Sequence, residues 1–417
     1  MSKMKYRLNF KTAHQWYLVA WSLAVQLLLV GRHIDNEIIS HYAPTAADAK
    51  DYFRLAGIWK SLGFTEAFSD GMRMPGYPTI VYIFEKIFGD YTPISLRLLH
   101  ILLFAIIQIS IFTILKIFCR YEYALILTMI FPLLPTWHFT PVLTAETLIV
   151  ITFVYLTYLL LRLSQGKTTS FQLIQCALVA SIAVYLKPNS VLVVVSACVY
   201  LFLKNGKTKT QNLVKFLTIF VISLLPWLIF MQVNQNTISL TTGSGINLLI
   251  GTGRDVEPNG TVLSSAANVC NVADNRNPEN ELSSPLGLSA SEVDTLHRET
   301  TIKIWRTGTQ NQICFGVQKV LITFGFKANS TFDLLYGFIS GFTLLVSIAM
   351  IKSRSLRPLG GYFISQIFLL SLQAFVFQVD RRFTVPFILP MFIICVAVAL
   401  GKFSFGNIQS STDVKKQ

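Results

Sequence analysis

The stretch PTAADAKDYFRLAGIWKSLGFTEAFSDGMRMPGYP, residues 44–78, is polar and charged, yet the chain on both sides of it is mostly hydrocarbon. It follows a first apolar run from Trp16 to Gly31. After it come further apolar runs near 76–89, 94–117, 122–136, 141–161, 171–187, 189–203, 214–232, 331–351, 360–378 and 383–400. A span of the hydrocarbon core takes about 20 residues of helix, so the runs at 76, 122 and 189 are short. The pattern predicts an all-α polytopic membrane protein of about 10–12 transmembrane helices, with its first outer loop over 32–75. Composition agrees: 53% of the 417 residues are hydrophobic and 13% are charged, and the mean hydropathy is +0.54. A soluble domain carries about 25% charged residues.

The net charge of +14 could suggest nucleic acid. Its placement argues otherwise, because the basic loops RLSQGKT (162–168), KNGKTKTQNLVK (204–215) and KSRSLR (352–357) join apolar runs, as a positive-inside distribution would have them. Lys3, Lys5, Arg7 and Lys11 precede the first run without a small-residue cleavage site after it, which predicts an uncleaved first span and a cytoplasmic N-terminus. With the basic loops inside, residues 32–75, the turns near Thr140 and Lys187, the loop 233–330 and VDRRF (379–383) fall outside. A full crossing by 76–89 would invert every later loop. That segment is therefore either re-entrant or a crossing balanced by another short run that does not cross.

The expected organisation is a membrane module over 1–232 that includes the outer loop 32–75, an extracytoplasmic loop region over 233–330, C-terminal spans over 331–400 and a disordered cytoplasmic tail over 401–417. In the long loop, SEVDTLHRETTIKIWRTG reads as a helix opened by Ser291 and closed by Gly308. Residues 260–288, rich in Asn, Ser, Pro and Gly, read as irregular. Cys119, Cys176, Cys198 and Cys395 lie in or beside apolar runs and read as small apolar packers. Cys270 and Cys314 share the polar loop, and an oxidising compartment would let them pair.

In the opening stretch, Thr45 and Asp48 have the spacing of a capping box. Tyr52, Leu55, Trp59 and Leu62 recur at helical spacing, which predicts an interfacial helix with that stripe on the membrane. Asp48, Asp51 and Tyr52 stand at i, i+3 and i+4, so both carboxylates address one space. Such a pair can act as a base, bind a cation, or merely cap and solvate a helix end. MRMPGYP is a stiff turn feeding a helix led by Pro78, and Arg73 before it suits either interfacial snorkelling or an anion site. Among the apolar runs, Glu146, Lys187, Arg381 and Arg382 stand out, because an ionisable group in a span costs several kcal/mol. All four fall on the face that carries Asp48 and Arg73, although Asp380 could simply pair with either neighbouring arginine. Arginines and a lysine at that level suit a lipid-linked phosphate. None of the six histidines pairs with another at i+3 or i+4, so no metal or other cofactor is indicated.

Taken in order, these motifs resemble a known family. They are D-A-x-x-Y-x-x-x-A (Asp48, Ala49, Tyr52, Ala56), R-x-P-G-Y-P (Arg73 to Pro78), Glu146, K-P-N (Lys187 to Asn189), GINLLIGTGRDVEPNG opening the long loop, and R-R-F-x-x-P-F-I-L-P near the last span. Over roughly residues 15–400 the chain is similar to bacterial polytopic glycosyltransferases of the GT-C superfamily, of the dolichyl-phosphate-mannose-protein mannosyltransferase and aminoarabinose-transferase type (family 39-like). The resemblance implies a sugar moved from a polyprenyl-phosphate donor to an acceptor (lipid, glycan or protein) with inversion. It implies Asp48 as catalytic base, with Asp51 as second candidate. Arg73, Lys187, Arg381 and Arg382 would bind the donor phosphate, and Asp51, Tyr52, Tyr77 and Glu146 would contact the acceptor or sugar. It places the enzyme in a bacterial plasma membrane with the site outside, without nucleic-acid partners. Two features depart from the family: Ala49 follows Asp48 where many relatives have a second acid, and the outer region is small. A flippase of lipid-linked sugars and a polysaccharide polymerase or ligase are the competing readings; the absence of an internal repeat counts against the first.

Overall fold

A computed structural model describes residues 13–37, 47–134, 143–165, 169–204, 209–253, 266–267, 269–272, 288–326, 331–377 and 384–413. Among them every regular element is a helix. In chain order these are α1 (Ala13–Glu37), α2 (Ala47–Leu62), α3 (Phe64–Ala67), α4 (Gly76–Phe88), α5 (Thr92–Leu115), α6 (Tyr121–Ile130), α7 (Glu146–Gln165), α8 (Ser170–Leu186), α9 (Val191–Leu203) and α10 (Lys209–Gln235). They continue with α11 (Ser244–Ile250), α12 (Ala290–Thr307), α13 (Thr309–Thr323), α14 (Thr331–Ile351), α15 (Arg357–Val376) and α16 (Val385–Asp413). Five stretches are long and apolar enough to cross a membrane: Gly76–Leu115, Glu146–Ser164, Lys209–Gln235, Asp333–Ile351 and Arg357–Val376. Shorter apolar helices lie at Trp16–Leu28, Tyr121–Leu133, Ser170–Leu186, Pro188–Leu203 and Val385–Gly401. The protein is an all-α polytopic membrane protein.

The bundle solves the backbone and hydroxyl problem that hydrocarbon imposes. Each helix satisfies its own amides, and polar side chains inside the bundle turn back onto carbonyls one turn earlier. Thr113 donates to Ile109, Thr128 to Ala124, Thr157 to Phe153, Ser181 to Ala177 and Thr343 to Ile339. The Gly76–Leu115 stretch is divided at Gly89, whose φ of 54° breaks the helix. A short 3-10 turn, Gly89–Tyr91, then leads into α5 with Pro93 in its first turn. By itself α4 is 13 residues, about 20 Å at 1.5 Å per residue, shorter than a hydrocarbon core.

Two sequence expectations need correction. The stripe on α2 does not lie against lipid. Tyr52, Leu55 and Ala56 are buried, α2 packs along α4, and the Trp59 ring stacks on Tyr82 at 4.3 Å; only Leu62 is exposed. An apolar stripe is satisfied equally by lipid or by a neighbouring helix, and periodicity cannot tell them apart. The helix of the long loop opens two residues earlier than expected, at Ser289, whose side chain and Glu292 form a capping box over α12. The partner expected for Asp48 in its capping box, Thr45, lies outside the described residues, as does most of the irregular 260–288 segment.

The long loop folds onto the ends of the spans. A disulfide joins Cys270 to Cys314, and the small cluster around it contains Ala266, Ala267, Val272, Phe315 and Ile322. Lys319 of α13 is buried, and among the described residues no carboxylate pairs with it. Its ammonium donates to the carbonyls of Gly251, at 2.6 Å, and Phe377, at 2.9 Å, so one side chain fastens α13 to the end of α11 and to the end of α15. Burial lowers its pKa to about 7.

Candidate functional site

Asp48 lies in the first turn of α2 and Glu146 opens α7, positions where the positive end of the helix dipole favours a carboxylate. Lys187 arrives differently. Pro188 disfavours helical geometry in the residue before it, so α8 stops at Leu186 and Lys187 adopts an extended backbone. Its side chain leaves the bundle axis and meets Glu146 Oε1 at 2.6 Å, with Asp48 Oδ2 4.0 Å away. Both Glu146 and Lys187 are buried.

Arg73 comes from the turn between α3 and α4. Gly71 holds a φ of 62° there, and a Cβ on it would meet Met231 at 2.7 Å. The turn is fastened from outside by Thr242, whose hydroxyl donates to the Asp70 carbonyl at 2.6 Å and whose amide donates to Gly71 at 3.1 Å. After it, Gly76 sits so close to the end of α8 that a Cβ would lie 2.4 Å from the Tyr185 carbonyl oxygen. This contact brings the R-x-P-G-Y-P turn against the residue that precedes Leu186 and Lys187. From the turn, one terminal nitrogen of Arg73 donates to Asp48 at 2.8 Å and to Asp51 at 3.0 Å. The guanidinium also lies over the Tyr52 ring, 5.8 Å from its centroid. Burial alone would lower the Arg73 pKa; the charges of Asp48, Tyr52 and Asp51 outweigh it and raise the pKa, so the group stays cationic.

Asp48 is thus bracketed by a guanidinium on one side and an ammonium on the other, while Glu146 balances the ammonium from below. Asp51 is more open than Asp48, with 40% of its side chain exposed against 14%. The two tyrosines form the floor. Tyr52 and Tyr77 are buried, their ring centroids 4.8 Å apart, and the Tyr77 hydroxyl is 3.2 Å from His100 Nε2. Arg97 and His100, both buried, extend this polar layer into α5. They were not singled out in the sequence, yet the signal was there: an arginine and a histidine at i and i+3 in the otherwise apolar run LRLLHILL.

The structure therefore brings together Asp48, Asp51, Tyr52, Arg73, Tyr77, Glu146 and Lys187, contributed by α2, α4, α7, the residue just past α8 and the turn before α4. Arg381 and Arg382 lie outside the described residues. Among the described residues no group of three metal-ligating side chains converges. The arrangement sets three carboxylates, Asp48, Asp51 and Glu146, around two fixed cations, Arg73 and Lys187, chemistry that suits proton transfer and the binding of an anion.

The model of the dolichyl-phosphate-mannose-protein mannosyltransferase family matches residues 73–230. The matched segment begins at Arg73 and includes Tyr77, Glu146 and Lys187, but not Asp48. No curated protein matches the chain. The match covers 158 of the 417 residues and makes that segment similar to the family.

Proposed function

With the family match over 73–230 as premise, we propose that the chain transfers a sugar from a polyprenyl-phosphate donor to an extracytoplasmic acceptor by a single inverting displacement. Asp48 is the base. It takes the proton of the acceptor hydroxyl or amine, the freed lone pair forms the new bond to the anomeric carbon, and the carbon–oxygen bond to the phosphate breaks with its electrons on the phosphate oxygen. Phosphate is already a good leaving group, so no acid is needed. Arg73 and Lys187, joined by Arg381 and Arg382, hold the charge that gathers on it. Asp51 lies at the open edge, where an acceptor can reach it. Tyr52 and Tyr77 carry the sugar side of the site, and Glu146 keeps Lys187 oriented between itself and Asp48. The site faces the outside of a bacterial plasma membrane.

The observation that carries this reading is the placement of Asp48 between Arg73, at 2.8 Å, and Lys187, at 4.0 Å. A base and cations for a leaving anion stand within one side chain's reach of each other. General-base catalysis is worth about 10²–10⁴ in rate. Asp48→Asn, nearly isosteric, is expected to reduce transfer by about that factor while the protein still inserts and is recovered in the membrane. The assay is mass analysis of lipid-linked sugars and envelope glycans in cells complemented with each form. Full transfer by Asp48→Asn would reject Asp48 as the base.

A further inference from the structure

Thr242, 172 positions after Asp70, is where the outer loop grips the turn that carries Arg73. It is buried. Its hydroxyl donates to the Asp70 carbonyl at 2.6 Å, its amide donates to the Gly71 carbonyl at 3.1 Å, and its methyl lies 3.2 Å from where a Cβ of Gly71 would stand. The Asp70 carboxylate in turn accepts from the Met72 amide at 3.0 Å. The backbone is thus pinned at Asp70, Gly71 and Met72, and Arg73 is the next residue.

Thr242 is itself held from both sides. Before it, the Leu240 carbonyl accepts from the Trp227 indole of α10 at 2.8 Å, and the same ring stands edge-on to Phe68, 6.0 Å away, at the start of the turn. After it comes α11, about 10 Å long at 1.5 Å per residue. The buried Asp294 carboxylate of α12 accepts from the Gly245 amide and, at 3.3 Å, from the Ser244 hydroxyl. At the far end the Lys319 ammonium takes the Gly251 carbonyl at 2.6 Å. A carboxylate therefore sits at the positive end of α11 and an ammonium at its negative end. Two glycines let the neighbours approach: a Cβ would lie 2.3 Å from the Asp294 carbonyl oxygen at Gly245 and 2.2 Å from that of Val376 at Gly251. Gripped at both ends, α11 is a strut between the outer loop and the Arg73 turn.

One terminal nitrogen of Arg73 carries the bonds to both Asp48 and Asp51. Among the described residues its other guanidinium nitrogens make no hydrogen bond, and these are the donors that an anion can meet. A planar fork binds phosphate by angle as well as by charge, so where the Arg73 backbone is held decides how well the fork is aimed.

We propose that Thr242 is a positioning residue for Arg73, and that α11 is the element through which the outer loop sets how Arg73 meets the donor phosphate. This rests on the assignment of Arg73 to that phosphate in the glycosyltransferase reading. Thr242→Val keeps the shape of the side chain and removes the hydroxyl donor, while Thr242→Ser keeps the donor.

The test uses the full-length protein in detergent micelles and farnesyl phosphate, a short polyprenyl phosphate, with farnesol as the uncharged control; binding is read by titration calorimetry. Thr242→Val is expected to bind farnesyl phosphate about tenfold more weakly, near 1.4 kcal/mol, with farnesol unchanged, and Thr242→Ser is expected to bind like the parent. Asp294→Asn, at the start of the strut, should weaken farnesyl phosphate in the same direction. In transfer assays Thr242→Val should raise KM for the donor and leave KM for the acceptor unchanged. Parent-like binding by Thr242→Val or by Asp294→Asn would overturn the proposal. So would equal losses for farnesyl phosphate and farnesol, which mark a general loosening, or a serine variant as weak as the valine one. No binding of farnesyl phosphate by the parent would overturn it together with the phosphate assignment. Binding requires no transfer, so the base is judged separately: full transfer by Asp48→Asn beside weakened binding by Thr242→Val would reject the base and keep the positioning role.

Discussion

Gly76→Ala tests whether the active turn must touch the end of α8. The added Cβ would lie 2.4 Å from the Tyr185 carbonyl oxygen, 2.5 Å from its carbon and 2.8 Å from the Leu186 nitrogen. All three are backbone atoms, so no flexible side chain can move aside. Ordinary contact needs about 1 Å more, which either the start of α4 or the end of α8 must yield. Arg73 is three residues before Gly76 and Lys187 is one residue after Leu186, so the retreat separates the two cations that bracket Asp48. The 4.0 Å separation of Lys187 and Asp48 would grow toward 5 Å, on the order of a lost contact. A misplacement of about 1 Å costs roughly 10²-fold in rate, and overpacking costs about 1–3 kcal/mol of stability. The assay is the initial rate of consumption of the lipid-linked sugar in membranes from cells lacking the native chain, alongside thermal unfolding of the purified protein. Gly57→Ala is the control: nothing lies within 4 Å of its Cβ position, and the exchange should stabilise α2 by about 0.5–1 kcal/mol without slowing transfer. Turnover by Gly76→Ala within about twofold of the parent would refute the argument that this close approach sets the site.

Glu146→Gln removes the carboxylate that holds the buried Lys187 ammonium at 2.6 Å; breaking such a pair costs about 3–5 kcal/mol. Glu146→Gln with Lys187→Met should recover part of this loss in thermal unfolding, and an undiminished sum of the single effects would contradict coupling. Lys319 has a native pKa of about 7 against 10.5 for a lysine in water, so between those values the unfolded chain binds the extra proton. The junction it makes is therefore expected to gain stability as pH rises from about 7 to 10, read as slower hydrogen exchange of α13 amides at matched intrinsic rate; Lys319→Met should abolish that slope. The Cys270–Cys314 link closes 44 residues of separation, worth on the order of 4 kcal/mol by chain entropy. The double serine variant should lose protection in α13 first, with the membrane helices unfolding as before.

Much of the fold was legible because hydrocarbon is an unforgiving solvent. Apolar run length fixes a helix wherever water is absent to satisfy the backbone, and the run boundaries at α5, α7, α10, α14 and α15 follow from that alone. Rare ionisable residues in such runs are also conspicuous, which is why Glu146 and Lys187 could be singled out beside Asp48 and Arg73. What the sequence could not decide was which groups touch. The Tyr52–Trp59 stripe reads the same whether lipid or α4 covers it, and Lys187 could equally have met a phosphate or Glu146. Arg97 and His100 acquire meaning only once the neighbouring helices are in place. One-dimensional spacing specifies how each helix is oriented about its own axis; the approach of α4 to α8 at Gly76, and with it the bracketing of Asp48, is a property of packing between segments more than a hundred residues apart.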